Sequence, residues 1–301
     1  MNKKNRVGIC GLTNMQGPFV KSHLIPRALT RLSRTGQKHI EVGIGHGQKT
    51  RADSWYDENL VTRIGEDILS VIDTKGIIEL RKHRLVWSSW GDADQIQESQ
   101  PLANDASFRI LVLDNPDNLR VFFLSLLWRA AATKRPEFDD INLQDDDLED
   151  LKSRVFRQDS GQPEDYPIHL FQLITRGPNH NRTPLLERKL VPSADGRTEL
   201  EIHYVRFYFD GLVSHIHLAR REKLSPDYLK TCIGFTENTI VFAHKFDSSR
   251  TNDNINEMAE TVTRESLEFS NPSKPLKPLI AGIREAWLDV SAATQFGTNR
   301  S

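Results

Sequence analysis

Two stretches of the chain carry side chains suited to moving a proton or holding a cation. In KSHLIPRAL (21–29), His23 follows Ser22 and precedes Pro26 by three residues. An imidazole exchanges its proton near neutral pH, so His23 is a candidate general base. Glu66 and Asp73 lie seven residues apart. On a helix that spacing puts both carboxylates on one face, about two turns apart, where they offer hard oxygen ligands to Mg²⁺ or Mn²⁺. Two weaker sets accompany them. His215 and His217 flank Ile216 and share one face of a strand, and Trp55 with Tyr56 stands near Arg51, a pattern able to stack on bases within a basic groove. Each set has a structural counterpart: His23 as a hydrogen-bonded corner histidine, Thr62 as a helix N-cap, Glu66 as an acid favoured by the helix dipole, and the paired histidines as a polar strand face.

The elements that position these groups read as follows. A short strand over 6–10, a turn through GLTNMQG and a second strand over 19–21 deliver His23, and Pro26 is placed to open a helix because its fixed φ suits the first turn. The Gly-rich EVGIGHGQ (41–48) reads as a loop without nucleotide-binding spacing. Apolar residues at mixed spacings of three and four from Glu66 toward His83 predict a helix with Gly76 as its weak point. NLRVFFLSLLWRAAAT (118–133) is apolar nearly all round and predicts a buried central helix, in which Trp128-Arg129 combines packing with a buried ion pair. Strand-like alternation marks 168–175, 199–209, 212–218 and 239–246, with Asp210-Gly211 as a hairpin turn. Two amphipathic helices are expected at 252–269 and 278–292. The polar run GDADQIQESQPLANDAS suggests a boundary between a module at 1–92 and a domain at 105–301.

Net charge is near zero but unevenly spread. Residues 1–51 hold ten Lys/Arg against the single acid Glu41, whereas 137–150 hold eight acids and no Lys or Arg. That asymmetry suits a phosphate-binding surface with Lys21, Arg27, Arg31, Arg34 and Arg51 as contacts, beside a separate solvated loop or self-shielding element. Cys10 and Cys232 are too few and too distant to form a disulfide framework, which points to a reducing compartment. The longest apolar run, VFFLSLLW, is far short of a membrane span. A cytoplasmic protein with no membrane partner is expected.

A treble-clef zinc module needs two Cys-x-x-Cys knuckles, the second at the start of a helix. Here the corresponding positions read Cys10-Gly-Leu-Thr13 and Thr62-Arg-Ile-Gly65. One thiolate cannot hold a structural zinc, so none is expected. Around these positions the chain resembles a family of bacterial proteins that look like divergent HNH-type (ββα-metal) endonucleases. The likeness rests on Ser22-His23-Leu24-Ile25-Pro26, then Leu60-Val61-Thr62-Arg63-Ile64-Gly65-Glu66, then Asp73 seven residues on, and it extends to Ser125-Leu-Leu-Trp128-Arg129, so it covers most of the chain.

The resemblance implies an α+β protein. Its N-terminal HNH-like ββα module would lack zinc and be followed by a larger mixed domain with antiparallel strands and C-terminal helices. It further implies His23 as the catalytic base, Asn59 as the residue that orients it, and Glu66 and Asp73 as ligands of Mg²⁺ or Mn²⁺, in an endonuclease acting on DNA or RNA, in defence against phage or foreign DNA. Ser22 departs from the pattern, standing where such sites carry a ligating Asp or His. The alternative is an inactive nucleic-acid-binding or protein-interaction component that has kept the scaffold.

Overall fold

The computed structural model describes residues 6–30, 39–43, 46–51, 54–102, 106–178, 180–220 and 222–253, with the backbone only for 39–43, 46–51 and 180. The chain divides into two compact units, Met1–Phe246 and Asp247–Ser301, and the elements named here belong to the first. In chain order they are β1 (Val7–Ile9), β2 (Gln16–Pro18), β3 (Ser22–His23), β4 (His39–Gly43), β5 (His46–Arg51), β6 (Tyr56–Asp57), α1 (Arg63–Lys82), β7 (Gln100–Pro101), β8 (Ser107–Val112), α2 (Pro116–Ala132), α3 (Asp145–Arg157), β9 (Ile168–Leu173), β10 (His180–Arg182), β11 (Leu185–Pro192), β12 (Glu199–Phe209), β13 (Leu212–His217), α4 (Pro226–Leu229) and β14 (Asn238–His244). The fold is mixed α+β, dominated by one large sheet. The helices expected at 252–269 and 278–292 lie outside the described residues from 254 onward.

That sheet has seven strands in the order β11-β12-β13-β9-β14-β8-β7, antiparallel except where β14 runs parallel to β9. Strand alternation sends Val205, Phe207 and Phe209 of β12, Leu212 and Ile216 of β13, Ile168 and Leu170 of β9 and Val241 of β14 to one face, where all are buried in a common core. The β12–β13 connection is Asp210-Gly211, with φ of 50° and 79°. Positive φ at both central residues is the twist-matched turn that Asp-Gly favours.

α2 lies over this face. Pro116 occupies its first turn and the Asn115 side chain accepts from the Asn118 N–H at 2.9 Å, a pre-set φ and a capped donor at one end. Every residue from Leu119 to Ala130 is buried, and Phe122 and Phe123 meet Phe209 with ring centroids 6.3 Å apart. α1 packs against α2, and Gly76 is the reason it can. A Cβ there would fall 2.3 Å from Phe122 Cγ, so the glycine is a site of close helix approach and not a break. Core residues from both sides of the expected 92/105 boundary, Leu69 and Leu80 with Phe122 and Val205 among them, share one cluster.

Three segments differ from expectation. The Gly-rich 41–48 stretch falls within β4 and β5, an antiparallel pair with a bulge between Glu41 and Gly43; β10 runs parallel to β4. Gly43 stands at the bulge, and the glycines at 43 and 47 do not prevent pairing. Pro26 opens a 3₁₀ turn, Arg27–Leu29, and residues 31–38 lie outside the described ones. The acidic run is a loop only in part: 139–144 is irregular, whereas Asp145, Asp146 and Asp147 form the first turn of α3, where the helix dipole favours anions, and Arg220 bridges Asp147 and Asp150 at 3.4 and 3.1 Å.

Candidate functional site

His23 stands on a two-residue ladder. β3 pairs antiparallel with β6, setting His23 opposite Tyr56 and Ser22 opposite Asp57. Alternation buries Ser22 completely and leaves His23 half-buried on the other face. That outer face is basic and aromatic. The exposed Lys21 places Nζ 3.8 Å from the Tyr56 ring centroid, the His23 ring meets Tyr56 edge-on at 6.3 Å, and Arg135 lies 5.9 Å from the same ring. Arg27 is exposed a few residues on.

α2 and the segment after it fix both strands of this ladder. Arg129 is 1% exposed, yet every direction of its guanidinium is used. Nη1 donates to the His23 carbonyl at 3.0 Å and to Asp73 Oδ2 at 3.0 Å, and Nη2 donates to Asp73 Oδ1 at 2.5 Å and to Ser125 Oγ at 2.9 Å. Nε donates to the Ser125 carbonyl at 3.2 Å. A fork of this kind matches a carboxylate with both oxygens engaged. On the partner strand, Thr133 donates to Asp57 Oδ2 at 2.6 Å and Arg135 Nη1 donates to the Tyr56 carbonyl at 2.7 Å. Asp57 Oδ1 accepts from the Asn59 N–H at 2.7 Å, which shapes the loop into α1.

The four knuckle positions converge. Cys10, fully buried, is followed by a turn in which Asn14 adopts φ 57° and returns its N–H to the Cys10 carbonyl at 2.9 Å. Thr62 lies next to the first residue of α1, and a Cβ on Gly65 would sit 2.7 Å from Cys10 Sγ. Burial raises the Cys10 thiol pKa, but hydrogen bonds from the side chains and backbones of Thr13 and Thr62 outweigh it, so the net shift is downward. Both threonines thus favour the thiolate form of the one sulfur.

Of the candidate residues, Asp73 is committed to Arg129, and Glu66 in the first turn of α1 keeps Oε2 buried without a hydrogen-bond partner among the described residues. Asn59 is exposed and is held through its backbone. Arg31 and Arg34 lie outside the described residues, as does the Arg51 side chain. Among the described residues no group of three or more His, Cys, Asp or Glu is arranged to hold a metal ion.

The opposite face of the large sheet carries a second polar cluster. Only His215 and His217 signal it in the sequence, because the other members come from four distant segments. Thr231 Oγ1 donates to the Tyr228 carbonyl at 2.8 Å, so it must accept from His169 Nε2 at 2.7 Å. His169 Nδ1 is then the acceptor for His217 Nε2–H at 3.1 Å, and His217 Nδ1 the acceptor for the Tyr228 hydroxyl at 3.2 Å. One bond at the end of the chain sets both tautomers. Burial, aided by the charge of Lys189, lowers the His169 pKa to about 3, and burial with the His169 neighbour depresses His217 as well. Cys232 Sγ lies 3.3 Å from His169 Nε2, with burial pushing its pKa up to about 12. His215 is packed between Phe171 and Tyr204, each 4.4 Å away by ring centroid.

No described helix is long and apolar enough to cross a membrane. No protein-family model, curated protein or solved structure matches the chain.

Proposed function

We propose that the chain is a nucleic-acid-binding protein built on an HNH-like hairpin-and-helix scaffold, with the outer face of the His23 ladder as its contact with the phosphate backbone. The observation that carries this reading is the exposed Lys21 set over Tyr56, on the same face as half-buried His23 and edged by Arg135. Cations beside an aromatic ring suit phosphate and base together. The knuckle supports the scaffold reading, because Cys10, Thr13, Thr62 and Gly65 occupy one place although three of them are not thiols. The residues do not fit a structural zinc. Nor do Glu66 and Asp73 fit a shared Mg²⁺ or Mn²⁺ ion as they stand, since both Asp73 oxygens accept from Arg129.

The test is binding of a fluorescent duplex and of single-stranded DNA and RNA as salt is varied. Each phosphate neutralised on a duplex contributes about 0.9 to the slope of log affinity against log salt. Lys21→Glu with Arg27→Glu is expected to lower both affinity and slope. Binding that ignores salt, or no binding to DNA and RNA alike, overturns the reading.

One observation favours a second reading, a metal-dependent endonuclease with His23 as base and Asn59 beside it. Glu66 holds a buried oxygen with no described partner, and such atoms ask for a ligand. Plasmid nicking with Mg²⁺ or Mn²⁺ that falls about 10²- to 10⁴-fold in His23→Ala, at unchanged melting temperature, would establish it.

A further inference from the structure

α1 presents an apolar ridge to solvent. Ile64, Val71 and Ile78 are 49%, 46% and 59% exposed, although β-branched side chains at solvent-facing helix positions lose rotamer freedom and gain no burial. They recur every seven residues, so they stand in one line about 10.5 Å apart along the helix. Every other exposed position of α1 is polar: Arg63, Asp67, Ser70, Thr74, Lys75, Arg81 and Lys82. The buried side of the same helix, with Leu69, Ile72, Gly76 and Leu80, faces the core, so the ridge is not an extension of that packing.

We propose that this ridge is a dimer interface at which α1 packs antiparallel against α1 of a second copy, on a two-fold axis through Val71. Two features of the helix select this occupant and this direction. The first is self-complementarity. Positions equidistant from Val71 meet across such an axis, so Val71 faces its own counterpart and Ile64 faces Ile78 of the partner subunit, a closed isologous contact. The second is charge. Asp67 and Lys75 are each four residues from Val71, so Asp67 of each copy meets Lys75 of the partner subunit, two such pairs per dimer. A parallel pair would set Asp67 against Asp67 and Lys75 against Lys75. Three aliphatic side chains per copy make a small patch, so the dimer is weak and reversible, in the micromolar range. The inference does not depend on nucleic-acid binding.

Sedimentation of the full chain from roughly 1 to 300 μM, a range that brackets such affinities, tests it. The wild type is expected to shift from monomer to dimer. Val71→Lys should remain monomeric with unchanged circular dichroism and melting temperature. Lys75→Glu should weaken the dimer about tenfold or more, and adding Asp67→Lys should restore it, because the pair then attracts with signs exchanged. Val71→Cys should form a disulfide-linked dimer under mild oxidation, since both native cysteines are buried. A wild type that stays monomeric throughout, a dimer that survives Val71→Lys, or a charge swap that fails to restore association overturns the proposal.

Discussion

The two polar clusters of this fold are built on opposite principles. At the His23 ladder, a formal charge is buried and then matched: Arg129 reaches across two helices to Asp73 and ends on the backbone of the residue with chemical interest. On the far face of the sheet, His169 and His217 are buried neutral, and a single directed chain of hydrogen bonds satisfies each ring nitrogen. The first arrangement leaves Lys21, His23 and Tyr56 facing outward while their backbones are held. The second is closed upon itself, with Tyr228 as its outer end. A buried charge with a half-exposed partner suits a surface that must be positioned, whereas neutral rings in a closed chain suit cohesion.

The largest effect that separates them is expected at Arg129. Removing one partner of a buried ion pair typically costs about 3–5 kcal/mol, because the other charge stays behind. Arg129→Met keeps much of the volume, so the loss in a urea-unfolding experiment reports the charge and its five hydrogen bonds. Since Asp73 is 18% exposed, the value should fall toward the lower end of that range. Asp73→Asn should cost less, because the amide still accepts one bond. A loss under 1 kcal/mol for Arg129→Met would show that the ladder is held by other means.

How much of this was legible in sequence follows from distance along the chain. The α1 periodicity and the Asp210-Gly211 turn depend on neighbours and could be read directly. Gly76 read as a helix weak point because its reason, Phe122, lies on another helix. Trp128-Arg129 suggested a buried ion pair, but the partner Asp73 is 56 residues away, and the same carboxylate read as a metal ligand from its helix face alone. Glycine density hid the pairing of β4 with β5, and a run of eight acids hid the start of α3, whose first turn accommodates three of them at the positive end of its dipole. In the histidine chain, His169, His217 and Thr231 come from three segments: the β9–β13 pairing brings the two rings together, and Thr231 joins them from the turn after α4. Cys10, Thr13, Thr62 and Gly65 were the exception: picked out by spacing, they do lie around one sulfur.

A smaller effect should appear in the pH dependence of stability. An unfolded histidine takes up its proton near pH 6.5, but His169 resists until about 3 and His217 is depressed with it. As pH falls below 6.5 the unfolded state binds protons that the folded state refuses, so stability drops by up to about 1.4 kcal/mol per pH unit for each ring. Between pH 7 and 5 the loss should be about 2 kcal/mol for His169, with His217 adding in the same direction, partly offset by Asp210, whose pKa burial raises to about 6 so that the folded state takes up that proton first. His217→Phe should lower stability at pH 7, because it leaves His169 Nδ1 and the Tyr228 hydroxyl unpaired, and should also flatten the profile. An unchanged slope in the variant would assign the acid sensitivity to other groups. Arg129→Met, by contrast, should leave that slope as it is.

The smallest expected effect lies at Cys10, which sits beside Thr13, Thr62 and Gly65. Hydrogen bonding from the side chains and backbones of Thr13 and Thr62 outweighs the burial that would otherwise raise the Cys10 pKa. Thr62→Val keeps the shape of the side chain and removes one donor, so it should cost about 1 kcal/mol, the usual net value of a single hydrogen bond. Its clearer signature is the thiol itself. With one donor gone, burial is less opposed and the Cys10 pKa should move up, which thiolate absorbance near 240 nm can follow. Cys232, pushed up to about 12, is silent below pH 9, so any thiolate seen there belongs to Cys10. If Thr62→Val leaves that titration where it was, the threonine is a spacer in the turn and the sulfur owes its ionisation to the backbone N–H groups instead.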